Sequence, residues 1–395
     1  MKFYGYKRND GRIGVRNHLL VVPSVFCAKK VAQKIAENIP GTIFIPNNLG
    51  CGQIGEDFEQ TVTTLVNLAS HPNVGATLIV GLGCERFSPQ EFYNKVKNRG
   101  TIVEKIVIQE VGDTIKTVRK GTESLYSLYR QKSIKKKEKV SLSKLIIGLE
   151  CGGTDAASGL AANPSIGVTS DILISNGGTS MFSETNEIIG SEKILQERCV
   201  SSKIAEDLIN TIKKMEQELA IETADPLYQH RKALIGPGNF AGGVSTLVEK
   251  ALGNILKSGN SPIMGVLKYA QIPKKNGLFF MDTPSQDAES TTGMVAGGAQ
   301  IILFTSGRGT PTGFPSAPVI KITGNLQTYQ KMKMNIDVDT SPIITKEKTL
   351  KQMGEEIFDL VIKVASGVKT KAEVLGHDEL FGISRLLASY RWEKN

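Results

Sequence analysis

The stretch NHLLVVPSVFCAKKVAQKIAENIPGTIFIP, residues 17–46, decides how the chain is read. Leu19, Leu20, Val21 and Val22 form a short apolar run of strand length. Ala28 to Asn38 follows with Val31, Ala32, Ile35 and Ile39 on one helical face, and Thr42 to Ile45 is the next strand. Strand, helix and strand in this order make a βα repeat. Such repeats build parallel sheets with helices on both faces.

The repeat continues outward. Asp57 to Ser70 carries Phe58, Val62, Leu65, Val66 and Ala69 at helical spacing. Thr77 to Val80 is a third strand, Pro89 to Asn98 a helix, and Ile102 to Ile108 a fourth strand. Residues 131–143, QKSIKKKEKVSLS, are polar and charged and suit an exposed linker. Beyond them, strands are predicted at Lys144–Gly148, Asp171–Ser175, Leu278–Met281 and Ile301–Thr305. Helices are predicted at Ile194–Gln217 and Val244–Leu256, and a short apolar piece stands at Ala233–Ile235. The expected fold class is α/β with two domains, each a mainly parallel sheet flanked by helices. Their bounds are 1–130 and 144–395, joined by the linker 131–143.

Composition narrows the function classes. The chain has 395 residues, 40% hydrophobic, with 40 glycines, which excludes disorder and allows a sizeable core. Lys and Arg number 48 against 39 Asp and Glu, a net charge of +9. Aromatics are only 6%, and no aromatic-plus-arginine platform appears, so no nucleic-acid partner is expected. A mild positive field suits a small anion. No apolar run approaches the length of a membrane span or a signal peptide, so no membrane association is expected. Five cysteines in a chain this long do not form a secreted disulfide framework, and a cytoplasmic location with reduced thiols is expected.

The cysteines carry the chemical signal. Cys27 follows the first strand, Cys51 the second, Cys84 the third, and Cys151 the first strand of the second domain; Cys199 falls outside the pattern. The carboxyl edge of an open α/β sheet is where ligands bind. Thiols gathered there suit a metal such as iron, while each one alone reads equally as a small buried hydrophobe. Arg12, Arg16 and Asn17 cluster before the first strand, and Arg308 follows a later one. Paired guanidiniums suit a carboxylate, or else an ion pair. Glu85, Asp155, Glu184 and Asp282 stand at strand ends or in glycine-rich turns, where each could be a ligand, a base or a helix cap. Of the four histidines only His18 lies near these motifs, and no zinc spacing occurs. Neither a P-loop nor GxGxxG is present, which disfavours a nucleotide cofactor.

The stretches GYKRNDGRIGVRN, GCG, GLGCE, IQEVGDT, ECGGTDAASGLAANPSIG, NGGTSMFSETNEIIG, GPGNFAGGVSTLVEKALG, FFMDTP, TTGMVAGGAQ and FTSGRGTPTG, in this order, resemble the altronate and galactarate dehydratase family. The large subunit of sulfolactate sulfo-lyase is similar. The resemblance implies a hydro-lyase, a carbon–oxygen lyase that removes water from a sugar acid to give a 2-keto-3-deoxy acid. It also implies Fe2+, or alternatively an iron–sulfur cluster or another divalent cation. On the motif positions it implies Cys51, Cys84 and Cys151 near the metal, and Glu85, Asp155 and His18 as catalytic groups. Arg12, Arg16, Asn17, Thr283 and Arg308 are implied around the substrate.

Two departures from the family pattern stand out. The chain begins at the GYKRNDGR motif without the small SAF-type domain, so that domain is expected as a separate small subunit beside a homo-oligomer of this chain. A histidine common before GCG is replaced by Pro46-Asn47-Asn48-Leu49. The alternatives are a sulfo-lyase large subunit acting on a sulfolactate-like acid, and a non-catalytic acid-binding homologue.

Overall fold

The computed structural model describes residues 1–222 and 235–386. The chain divides into two compact units. The amino-terminal unit comprises Tyr4–Val140, Pro315–Ala317 and the chain from Phe381. The carboxyl-terminal unit comprises Met1–Phe3, Ser141–Phe314 and Pro318–Leu380. Three short pieces thus sit with the unit they are remote from in sequence. The stretch 131–143 is not bare linker: residues 131–133 end a helix, and Glu138–Ser141 is a strand beside strand Lys2–Lys7.

The amino-terminal unit is built on β1 (His18–Pro23), α1 (Lys29–Glu37), β2 (Thr42–Phe44), α2 (Gly55–Ala69), β3 (Val74–Gly81), α3 (Pro89–Lys97), β4 (Ile102–Val107) and α4 (Thr114–Ser133). Its sheet has the order β2-β1-β3-β4, all parallel. All eight residues of β3 are buried, as a strand covered on both faces requires. Val31 and Ile35 of α1 and Leu125 and Leu128 of α4 close one face over Leu19, Val21 and Leu78. Ser88 caps α3 by accepting from the Glu91 amide at 3.1 Å, with Pro89 at the first helical position.

The carboxyl-terminal unit contains β5 (Ile146–Gly152), α5 (Asn163–Ser175), β6 (Thr179–Phe182), α6 (Leu247–Ile255), β7 (Ile263–Leu267), β8 (Gly277–Met281), α7 (Asp287–Ala296), β9 (Ile301–Ser306), β10 (Val319–Thr323), β11 (Val338–Asp339) and α8 (Leu350–Ala365). The seven strands run parallel in the order β7-β8-β6-β5-β9-β10-β11. Asp171–Ser175, expected as a strand, is the last part of α5, and the strand is β6 just beyond it. A short apolar run does not distinguish a buried strand from a buried helix. Ile194–Gln217 breaks into the helices Glu192–Glu197 and Ser202–Glu222. Most of Ala233–Ile235 lies outside the described residues.

The chain leaves β5 in one direction toward β6 and returns past it to β9 in the other. The gap between β5 and β9 is therefore the topological switch point of this sheet, where open α/β sheets bind ligands. Among the described residues no helix is long and apolar enough to cross a membrane.

Candidate active site

In the amino-terminal unit the loops bearing Cys27, Cys51 and Cys84 gather at the carboxyl edge. The Phe26 amide donates to the Leu49 carbonyl at 3.0 Å, and Ser24 Oγ donates to Glu85 Oε1 at 2.5 Å. Glu85 also accepts from the amides of Leu82 (3.0 Å) and Gly83 (2.6 Å). Its carboxylate closes its own turn instead of facing a ligand. Asn47, in the segment before GCG where the family resemblance led to a histidine being expected, is fully buried. Its Nδ2 lies 3.2 Å from the Pro23 carbonyl, and its Oδ1 accepts from the Leu49 amide at 3.0 Å. It stitches backbone to backbone. All three thiols are exposed.

Arg12, Arg16, Asn17 and His18 do not join them. They precede or begin β1, so they sit at the amino edge, a strand length away, roughly 20 Å. Arg12 binds Asp10 (2.6 Å) and the Ser70 carbonyl (2.7 Å). Arg16 donates to the Val15 carbonyl, and Asn17 links Arg8 and the Lys132 carbonyl. Parallel strands send what comes before them to one edge and what comes after to the other.

The carboxyl-terminal unit concentrates ionisable groups at its carboxyl edge, beside the switch point. Glu150 and Cys151 end β5 and are buried. Glu150 Oε2 accepts from Ser290 Oγ at 2.6 Å, and Ser290 meets Ser183 Oγ at 2.7 Å. Cys151 Sγ lies 3.4 Å from both Thr154 Oγ1 and Asn163 Nδ2. After β6, Glu184 takes a left-handed backbone, φ 76°, while fully buried. That conformation is strained for a non-glycine residue and is typical of functional sites. A clamp from the end of β8 imposes it. The Glu184 amide donates to Thr283 Oγ1 (3.0 Å), the Thr185 amide to the Thr283 carbonyl (2.9 Å), and Thr185 Oγ1 to Asp282 (2.6 Å).

Two lysines enter this interior from α6 and the turn after it. Lys257 pairs with Glu184, both fully buried, and Lys250 pairs with Glu187 at 2.7 Å. Lys250, Asn254 and Lys257 share one helical face, at i, i+4 and i+7. That face is inward beside the buried Leu247, Ala251 and Ile255, while Val248, Leu252 and Leu256 are exposed. Two ammonium groups are thus buried on a helical segment that leaves three large apolar side chains exposed.

The charges act on one another. Burial pushes the Glu150 carboxyl well above the usual range; Asp287 and Glu187 push it the same way, and Lys257 opposes them. Burial likewise raises Glu187 and Asp287, against the attraction of Lys250. Burial pulls Lys257 down, while Cys151, Glu150 and Asp287 pull it up. Asp287 is only half-buried and is the cluster's outlet: a Cβ on Gly152 would lie 2.9 Å from its Oδ2. Gly153, at φ +53°, turns the chain beside Arg308, where a side chain would meet Arg308 Cβ at 3.4 Å. Arg308 is exposed.

Asp155 and Thr283 serve structure. Asp155 caps the following helical turn through the Ser158 amide (2.8 Å) and Oγ (2.9 Å), and its other oxygen accepts from Asn325 (2.9 Å). Thr283 is the hub of the clamp. Sequence reasoning missed Glu150, Glu187, Lys250, Lys257 and Asp287. Only Glu150 carried a signal, its place beside Cys151 in ECGG. A lysine on an otherwise apolar helix reads as a solvated face.

Among the described residues no three His, Cys, Asp or Glu side chains gather to hold a metal ion. Of the thiols expected for iron, Cys51 and Cys84 are exposed in the amino-terminal unit, and Cys151 is buried in the carboxyl-terminal one beside Thr154, Asn163 and the charge of Lys257.

A parallel α/β sheet with carboxyls, ammonium groups and a guanidinium converging at its switch point defines an enzyme of acid–base type. Comparison with known proteins makes this specific. Residues 142–387 match the model of the D-galactarate/altronate dehydratase C-terminal domain, and residues 5–133 that of the D-galactarate dehydratase/altronate hydrolase second domain. The chain belongs to this family. It is 36% identical to altronate dehydratase of Escherichia coli over 92% of this chain and 74% of the relative. It is 33% identical to galactarate dehydratase (L-threo-forming) of E. coli over 93% and 73%. It is also 33% identical to (2R)-sulfolactate sulfo-lyase subunit beta of Chromohalobacter salexigens over 98% of both chains.

Proposed function

We propose that the protein is a hydro-lyase that dehydrates a sugar acid such as altronate or galactarate to a 2-keto-3-deoxy acid. The observation that carries the reading is the buried charge cluster at the switch point of a chain related to dehydratases over nearly its whole length. Elimination from a hydroxy acid needs a base for the proton beside the carboxylate, positive charge for the enediolate, and an acid for the departing hydroxide.

The cluster has a group for each task. Asp287 faces the outlet and, with its proton affinity raised, is the base. Lys257 and Lys250 set the positive potential behind it. Glu150, whose proton affinity burial raises, is the proton store for the leaving oxygen. Arg308, exposed beside Gly153, is the clamp for the substrate carboxylate. Two carboxyl groups held in different environments are the usual way one site runs both acid and base steps. No step here is routed through iron.

A second reading has its own support. The sulfo-lyase subunit matches this chain end to end, whereas the dehydratases extend beyond the match. Its name implies further subunits, and we propose that this chain works with a separate small polypeptide of SAF type. The test is turnover by anaerobically prepared chain supplied with Fe2+, the cation the resemblance implies, with and without such a polypeptide. Semicarbazide-reactive keto acid from altronate or galactarate supports the hydro-lyase. Sulfite release from sulfolactate supports the second reading. Calorimetric binding of an acid without product points to a non-catalytic homologue.

A further inference from the structure

We propose that the amino edge of the amino-terminal unit holds a separate binding site for a small oxyanion of carboxylate or phosphate type. A small open pocket of about 20 Å³ there is lined by Arg8, Asp10, Arg12, His71, Arg99 and Lys135, among others. Four cations face one carboxylate. Asp10 is already engaged by the Arg12 guanidinium (2.6 Å) and amide (3.0 Å). Arg8, Arg99 and Lys135 are left with neutral partners. Arg8 donates to the carbonyls of Pro72 (2.6 Å) and Arg16 (2.8 Å) and to Asn17 Oδ1 (2.8 Å). Arg99 donates to Asn67 and to Ser70 Oγ, and Lys135 to Asn9.

These bonds do not neutralise the charges; they fix them in place. Arg12 and Arg99 converge on Ser70, one on its carbonyl and the other on its hydroxyl. Like charges held this close repel. Burial brings Arg8 down to about 10, with Tyr6 and Asp10 opposing and Arg12 adding a smaller push the same way as burial; Arg99 is lowered by burial and then by Arg12, against Asp10. A bound anion relieves that repulsion. Because backbone carbonyls already order the guanidiniums, binding loses little side-chain freedom. Arg12 Nη1 and Arg99 Nη2 take part in none of these bonds, which suits a forked hydrogen-bond pattern to an oxyanion. The site lies at the opposite sheet edge from Cys27, Cys51 and Cys84. It does not depend on the lyase reading.

The test is calorimetric titration of the full chain with inorganic phosphate and, separately, with galactarate. Phosphate is expected to saturate one site, and galactarate to bind there in addition to the site of the proposed reaction. R99Q should weaken phosphate binding about tenfold and K135Q, at the exposed rim, roughly threefold, with K120Q as an unchanged control. Galactarate that displaces phosphate identifies the occupant as a sugar-acid carboxylate; phosphate that binds without displacement identifies a phosphate. Either outcome supports the site. Absence of saturable binding by both anions, or equal binding in wild type, R99Q and K135Q, overturns it. Should R99Q fail to fold, K135Q decides alone, because its side chain bonds only Asn9.

Discussion

The pair formed by Lys257 and Glu184 shows how much one interior bond can carry. Neither side chain reaches solvent, so K257M strands a carboxylate in a low dielectric. Breaking a buried pair in this way costs about 3–5 kcal/mol. Urea unfolding of K257M is expected to show that loss, and E184Q/K257M to recover most of it. A double variant no more stable than K257M would refute the pairing. Proton linkage gives a second expectation. Glu150, Glu187 and Asp287 have folded-state values raised above their unfolded ones, near 4. Their contribution is fully present below about pH 4 and is lost as pH rises through the raised values. D287N removes one such group, so the stability of D287N relative to wild type should climb between pH 4 and 7. The same reasoning explains what the sequence hid. Glu85 and Asp155 stand in the right motifs, but their oxygens are spent on nearby amides and hydroxyls, and no spacing rule separates a base from a cap.

Whole elements were more legible than single groups. The βα alternation of residues 17–108 could be read because buried parallel strands are continuous apolar runs and the helices keep a 3.6-residue period. Legibility fell in the second half, where α5 mixes apolar and polar residues without a clear helical stripe and its final turn mimics a strand. The edge strands β7 and β11, and β10 beside β11, were not among the strands expected from the sequence. Asp155 supplies the test at this scale. As a cap it should tolerate asparagine, so D155N is expected to keep both fold and turnover. D155A should lose about 1 kcal/mol of unfolding free energy. A fall of orders of magnitude in the rate of D155N, with melting unchanged, would restore Asp155 as the base. The clamp between β6 and β8 makes a parallel prediction. T185V deletes the bond to Asp282, and hydrogen exchange of residues 282–287 should quicken while α1 and β1 stay protected.

At the scale of the molecule, the division into two units was foreseen but not the three short pieces, two taken by the amino-terminal unit and one by the carboxyl-terminal unit. A piece such as Pro315–Ala317 has no composition that assigns it. Each unit encloses its own apolar core, so scanning calorimetry should give a total enthalpy larger than the van't Hoff value of the main transition. A single transition with equal enthalpies would show that the two melt together. The buried lysines on α6 and the turn after it have a last consequence. Protein engineers who rebuilt this backbone by oil-and-water rules would recolour 248, 252 and 256 polar and 250, 254 and 257 greasy. Such a redesign should be sturdier and, on the chemistry proposed above, inert, because it removes both buried ammonium groups.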